Sequence, residues 1–252
     1  MFRTKYSALL ESPTMLDYGV YLNCERLLSC QKPLDKLCNG DELQFQIVHQ
    51  VEELWMKLMI YSLIDVLEQM EKQHTLKVLN LLQRVHFIQR MMIQQLDLLE
   101  TMSPKEYQEI RLQLGNGSGQ ESPGFRTLLK IPTDMWAVFS EHYLVKRGKT
   151  VEQIYDSEFA HDDSYAIAEA LVEFDELMQK FRSNHIFLIQ RSIGMASKSL
   201  KGRPVELLQS GAKHRFFPEL WDIRSSMTDT WGGSYGAVRE SISKCPFHSA
   251  ES

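Results

Sequence analysis

Apolar residues recur every three to four positions along almost the whole chain, and no stretch alternates convincingly between apolar and polar. A 3.6-residue repeat gathers such residues on one face, so this pattern commits the chain to helices. The strongest run covers about 40–72, where Phe45, Val48, Val51, Leu54, Trp55, Leu58, Met59, Ser62, Leu63 and Val66 step by threes and fours. A second run covers 75–102, and each predicts a helix of roughly 45 Å. The polar Gln73-His74 between them predicts a short turn and an antiparallel pair. Ser103-Pro104-Lys105-Glu106 restarts a helix: serine can cap it, proline suits the first turn, and Glu106 can reach back in a capping box. That helix ends at Gly115-Asn-Gly117-Ser118-Gly119, residues that tolerate positive φ. Shorter pieces fill 120–160. Asp162-Asp163-Ser164 opens another long helix that Gly194 closes, and 203–209 suggests one short helix more. The fold expected is an all-α bundle of long antiparallel helices, one domain over 1–252 with loose termini at about 1–15 and 232–252.

A chain of 252 residues can bury a substantial core. Its 28 Lys and Arg against 33 Asp and Glu give a net charge of −5, which lacks the basic footprint of a nucleic-acid binder. No window approaches about 18 uninterrupted apolar residues, so no membrane span is expected. The opening Met1-Phe-Arg-Thr-Lys-Tyr6 has no secretory apolar region, which points to the cytoplasm. Cys24, Cys30, Cys38 and Cys245 form no CxxC pair and read as free thiols.

His185 lies inside the apolar helical run 174–194. It is either a hydrogen-bonded packing residue or a neutral imidazole projecting into an apolar cavity, which is what a five-coordinate haem iron needs. No CxxCH motif is present, so such a haem would not be covalently attached. His49 lies on the 40–72 helix, one turn after Phe45, and that helix must share the same core. One imidazole on iron and one facing a substrate would make an oxygen-using enzyme. A diiron bundle wants Glu-x-x-His from two helices; His49-Gln-Val-Glu52 has the reverse order and no second copy. Tyr107 and Arg111 are also one turn apart. That arginine is either a solvated charge or a bidentate grip on a carboxylate. The 115–119 loop lets backbone approach a ligand but lacks the Gly-Lys-Ser/Thr ending of a phosphate cradle. Tyr18 and Tyr21, three apart, serve equally well as a packing stripe.

These pieces share an order. Tyr18-Gly-Val-Tyr21-Leu22, Phe45-Gln-Ile-Val-His49-Gln-Val-Glu-Glu-Leu-Trp55, Leu99-Glu-Thr-Met-Ser-Pro-Lys-Glu-Tyr107-Gln-Glu-Ile-Arg111 and Gly117-Ser-Gly119 are followed by Phe181-Arg-Ser-Asn-His185, Arg191-Ser-Ile-Gly194 and Phe216-Phe-Pro-Glu-Leu-Trp-Asp-Ile-Arg224. Together, over roughly 16–226, they resemble the tryptophan 2,3-dioxygenase family. The resemblance implies a helical fold enclosing one b-type haem per subunit, O2 as co-substrate, a small aromatic substrate, and a homo-oligomer, tetramer or dimer. His185 matches the proximal iron ligand and His49 the distal histidine facing the indole nitrogen. Phe45 matches the aromatic packed on the indole, Arg111 the partner of the substrate carboxylate, and Tyr107 its pocket neighbour. Ser118 and Gly119 match the glycine-serine loop. Tyr18, Tyr21 and Leu22 match a segment lent to a neighbouring subunit's pocket.

The departures fall at the amino-acid end of the substrate. Ser199 stands where the family's loop threonine falls, flanked by Leu200 and Lys201 instead of glycines. Ser118-Gly119-Gln120-Glu121-Ser122 replaces a Ser-Gly-Phe-Gln-Ser pattern, and the stretch between the Arg111 loop and the His185 helix is shorter. The reading is therefore a haem-dependent oxygenase acting at C2–C3 of the indole of tryptophan or an indole derivative. The alternatives are a haem monooxygenase on a substituted indole or other aromatic, or a haem sensor or carrier.

Overall fold

A computed structural model describes residues 16–115, 117–156, 160–194 and 211–234. Two short helices, α1 (Asp17–Tyr21) and α2 (Cys24–Leu28), lead into α3 (Glu42–Glu71) and α4 (Thr75–Leu99). Four shorter ones follow: α5 (Pro104–Gln113), α6 (Pro123–Leu128), α7 (Ile131–Phe139) and α8 (Val151–Tyr155). The long α9 (Asp163–Ile193) and α10 (Pro218–Ser234) complete the order, with no strand among the described residues. The helix expected at 203–209 and most of the tail lie outside the described residues.

The helix ends follow local chemistry. At the α3–α4 turn Gln73 takes φ 54°, Gln73 N–H donates to Met70 O at 2.9 Å and His74 N–H to Gln69 O at 3.0 Å. That is a Schellman exit with glutamine where glycine is usual. Ser103 caps α5, but not through the expected box: its hydroxyl accepts the Glu106 N–H at 3.2 Å and donates to Glu106 Oε2 at 2.7 Å. One hydroxyl thus makes two contacts with Glu106, and the Ser103 backbone also helps to hold that carboxylate low. Asp162 caps α9, its Oδ1 accepting from Ser164 N–H and Tyr165 N–H, and Gly194 closes it at φ 77°.

The core is three long helices deep. Met59, Leu63, Val66 and Met70 of α3 and Ile167, Leu171, Phe174 and Met178 of α9 pack on the two sides of α4, with Val78, Leu82, Val85 and Met92 between them. The antiparallel expectation holds for α3 and α4, whereas α9 lies parallel to α4. Thr75 Oγ1 donates to Asp163 Oδ2 at 2.8 Å, Gln89 Nε2 to the Phe174 carbonyl at 2.9 Å, and Arg191 pairs with Glu100 at 3.4 Å. The pairs advance together along both helices. The crossover through α5–α8 carries the chain back to the starting end, which makes a parallel return possible. His86 Nε2–H donates to the Ala170 carbonyl at 3.0 Å; with Gln89 it fixes the axial register of α9 on α4, since a slip would strand buried polar groups.

Two contacts fasten the remaining walls. Asp175, fully buried on α9, accepts three donors on Oδ2: Phe216 N–H at 2.8 Å, Phe217 N–H at 3.2 Å and Trp221 Nε1–H at 2.9 Å. This pins the entry of α10. Gly124 lets α6 lie directly on α3, because an added Cβ would sit 2.7 Å from Met56 Cβ and 2.9 Å from Glu53 Oε2. Gly124→Ala is therefore expected to force α6 outward at a cost of about 1–3 kcal/mol. Thermal unfolding checks it: a domain of this size should lose roughly 2–4 °C per kcal/mol, and an unchanged Tm would contradict the close approach.

Candidate active site

Two helix faces meet across a cavity of about 570 Å³. α3 contributes His49, Glu52, Glu53 and Met56, spaced as one helical face; α9 contributes Phe181, Arg182, His185 and Ile186 in the same spacing. Phe125 of α6, Gly119, Leu129 and His214 extend the wall. α3 and α9 both pack along α4, and α4 itself supplies no lining side chain.

The state of each imidazole follows from its surroundings. His49 Nδ1 lies 2.7 Å from the Phe45 carbonyl. A carbonyl only accepts, so Nδ1 carries the proton and Nε2 keeps its lone pair. The Phe45 ring packs against this imidazole, centroids 4.1 Å apart. Burial lowers His49 below the ordinary histidine range. Burial, with His49 adding to it, brings His185 down to about 4, so both rings are neutral at pH 7. Among the described residues no group hydrogen-bonds either ring nitrogen of His185.

These residues fit a histidine-ligated haem. The cavity volume lies within the range of small-ligand and cofactor sites, and its wall offers a neutral imidazole with an uncommitted nitrogen. Among the described residues no three His, Cys, Asp or Glu side chains come close enough to hold a metal ion by themselves. Iron here would draw its remaining ligands from a macrocycle.

The other expected site residues divide. Phe45 lies 6.3 Å, centroid to centroid, from Tyr107, and it lines a second cavity of about 410 Å³ with Lys32, Glu42, Gln46, Ile110, Gln113 and Leu114. Tyr107 is half-buried, and its phenol is raised by burial against the lowering effect of Arg111. Arg111, one turn on, donates to Gln108 Oε1 at 3.3 Å. Gly119 borders the larger cavity, while Ser118 is exposed and accepts the Gln120 N–H. Tyr18, Tyr21 and Leu22 are 75%, 88% and 43% exposed and line neither cavity of their own chain. Ser199 lies outside the described residues. Sequence reasoning passed over Glu52, Glu53 and Met56 as wall residues, although their offsets from His49 put them on its face. Phe125, Leu129 and His214 carried no such signal.

An all-α scaffold bringing two neutral imidazoles from separate long helices into one cavity defines a helical protein with a histidine-lined cavity. The sequence profile of tryptophan 2,3-dioxygenase matches residues 6–131 and 139–227. The tryptophan 2,3-dioxygenase of Serratia proteamaculans (strain 568) is 30% identical over 264 aligned positions, covering 84% of this chain and 93% of its own length. That of Myxococcus xanthus (strain DK1622) is 31% identical, with 84% and 89% covered, and that of Bacillus cereus (strain ATCC 10987 / NRS 248) is 28% identical, with 84% and 93% covered. The chain belongs to the tryptophan 2,3-dioxygenase family. The family is haem-dependent and uses O2 as co-substrate. No helix among the described residues is long and apolar enough to cross a membrane.

Proposed function

We propose that this chain is a dioxygenase that opens the C2–C3 bond of the indole ring of tryptophan or a close indole relative. The observation that carries this reading is the pair of neutral imidazoles, His49 and His185, lining one cavity from two different helices. Haem iron, when bound, supplies the binding and activation of O2.

His185 holds the iron from α9. His49 presents Nε2 as an acceptor for the indole N–H, in a tautomer locked by the Phe45 carbonyl. Phe45 packs on the substrate ring, and Arg111 with Tyr107 takes its carboxylate, helped by the hydroxyls of Ser118 and Ser199 and by backbone at Gly119. Tyr18, Tyr21 and Leu22, exposed on one protomer, close the pocket of another copy in a homo-oligomer. The chain works as one domain.

Labelled O2 tests the reading. With ferrous protein and tryptophan, or a simple indole in parallel, the ring-opened product should contain two labelled oxygen atoms. One labelled atom would replace the reading with a monooxygenase. Stable O2 binding without consumption of any aromatic would replace it with a sensor or carrier.

A further inference from the structure

We propose that Glu52 is a specificity-determining residue of the larger cavity, its carboxyl group hydrogen-bonding a hydroxyl or amino substituent on the aromatic ring of the substrate. This rests on the functional reading above and narrows its substrate class. Glu52 stands three residues after His49, on the same face of α3 and about 4.5 Å farther along the helix axis. That offset is on the scale of one fused ring. A ring whose N–H meets His49 has Glu52 within its own length along the same helix face.

Glu52 lines the cavity, and one oxygen of its carboxyl has no partner among the described residues. Glu52 is 6% exposed, and its Oε1 is shut off from solvent with no hydrogen-bond partner among the described residues. Two charged neighbours on the wall are engaged elsewhere. Glu53 Oε2 accepts the Gly124 N–H at 3.2 Å, and Arg182 donates to the carbonyls of Met178 and His214. Burial first, and the Glu53 charge second, raise the Glu52 carboxyl to about 8. At pH 7 it is a neutral acid that can donate through its hydroxyl and accept at its carbonyl oxygen.

A buried polar group without a partner is costly, and a ligand that supplies the partner recovers that cost. A bare indole gives its N–H to His49 and leaves Glu52 unserved. A ring hydroxyl or amine serves both. Sites built around such a bond discriminate strongly against analogues that lack the substituent.

The test is equilibrium binding to haem-loaded protein, read by haem difference spectra and by calorimetry, with indole, hydroxyindoles and aminoindoles as probes. Wild type should bind at least one substituted ring about 10- to 100-fold more tightly than indole. Glu52→Met keeps the volume but removes the polar group, and should bring the affinities close to parity. Glu52→Gln retains a donor and an acceptor and should recover part of the preference. Equal affinities in wild type, or a preference that survives in Glu52→Met, would overturn the proposal. Protein that takes up no haem sinks the functional reading and this inference with it; haem-loaded protein that binds every ring alike sinks this inference alone.

Discussion

Purified His185→Ala protein is expected to lack the Soret band of the wild type altogether. Iron ligation by histidine needs an unprotonated ring nitrogen, and burial holds His185 neutral down to about pH 4. Because the folded value is depressed, wild-type haem retention should persist through the pH range where an ordinary histidine protonates and fail only as pH approaches 4. His49 and His214 also border the cavity, which makes the variant decisive. If either could take the iron, haem would stay. Alanine leaves the helical face intact, so circular dichroism should be unchanged, and free imidazole diffusing into the vacated space should restore part of the absorption. A full haem complement in His185→Ala without added imidazole would overturn the assignment.

His49→Ala is expected to do the opposite: keep the haem and lose turnover. A positioned acid–base group contributes about 10²- to 10⁴-fold, so kcat should fall within that span while the Soret band remains. The hydrogen bond from Nδ1 to the Phe45 carbonyl fixes which nitrogen faces the cavity, and a substitution removes the acceptor and its orientation together. Burial lowers His49 below about 6.5, so the acidic limb of the wild-type rate profile should fall below that pH. The limb should vanish in the variant. A loss of less than tenfold, or an unchanged limb, would remove His49 from the chemistry.

The sequence disclosed what is periodic and local. The runs around Val48–Val66 and Leu76–Leu99 mark the two long helices because the repeat sustains one apolar face, although Leu54, Leu58 and Leu76 within them stay exposed. Asp162 and Gly194 mark the ends of α9 because capping is settled within one turn. Position was legible at Gln73 as well, but its left-handed exit was not, since glutamine gives no hint of positive φ. The direction of α9 was hidden because it depends on where α5–α8 deliver the chain. Glu52 illustrates the same boundary. Its place on the His49 face could be counted from the sequence, but its want of a partner among the described residues could not, because partners come from other parts of the chain. Tyr18, Tyr21 and Leu22 are exposed and line neither cavity of their own chain, so the role proposed for them in a second copy is not written in their spacing.

α4 gives the cavity no side chain, yet α3 and α9 both rest on it, so its girth works as a caliper for the opening between the two imidazoles. Buried residues of α4 level with the imidazoles, such as Met92 and Leu96, set that spacing from behind the two walls. Descendants of this scaffold could change their diet by swelling or slimming a helix that never meets the meal.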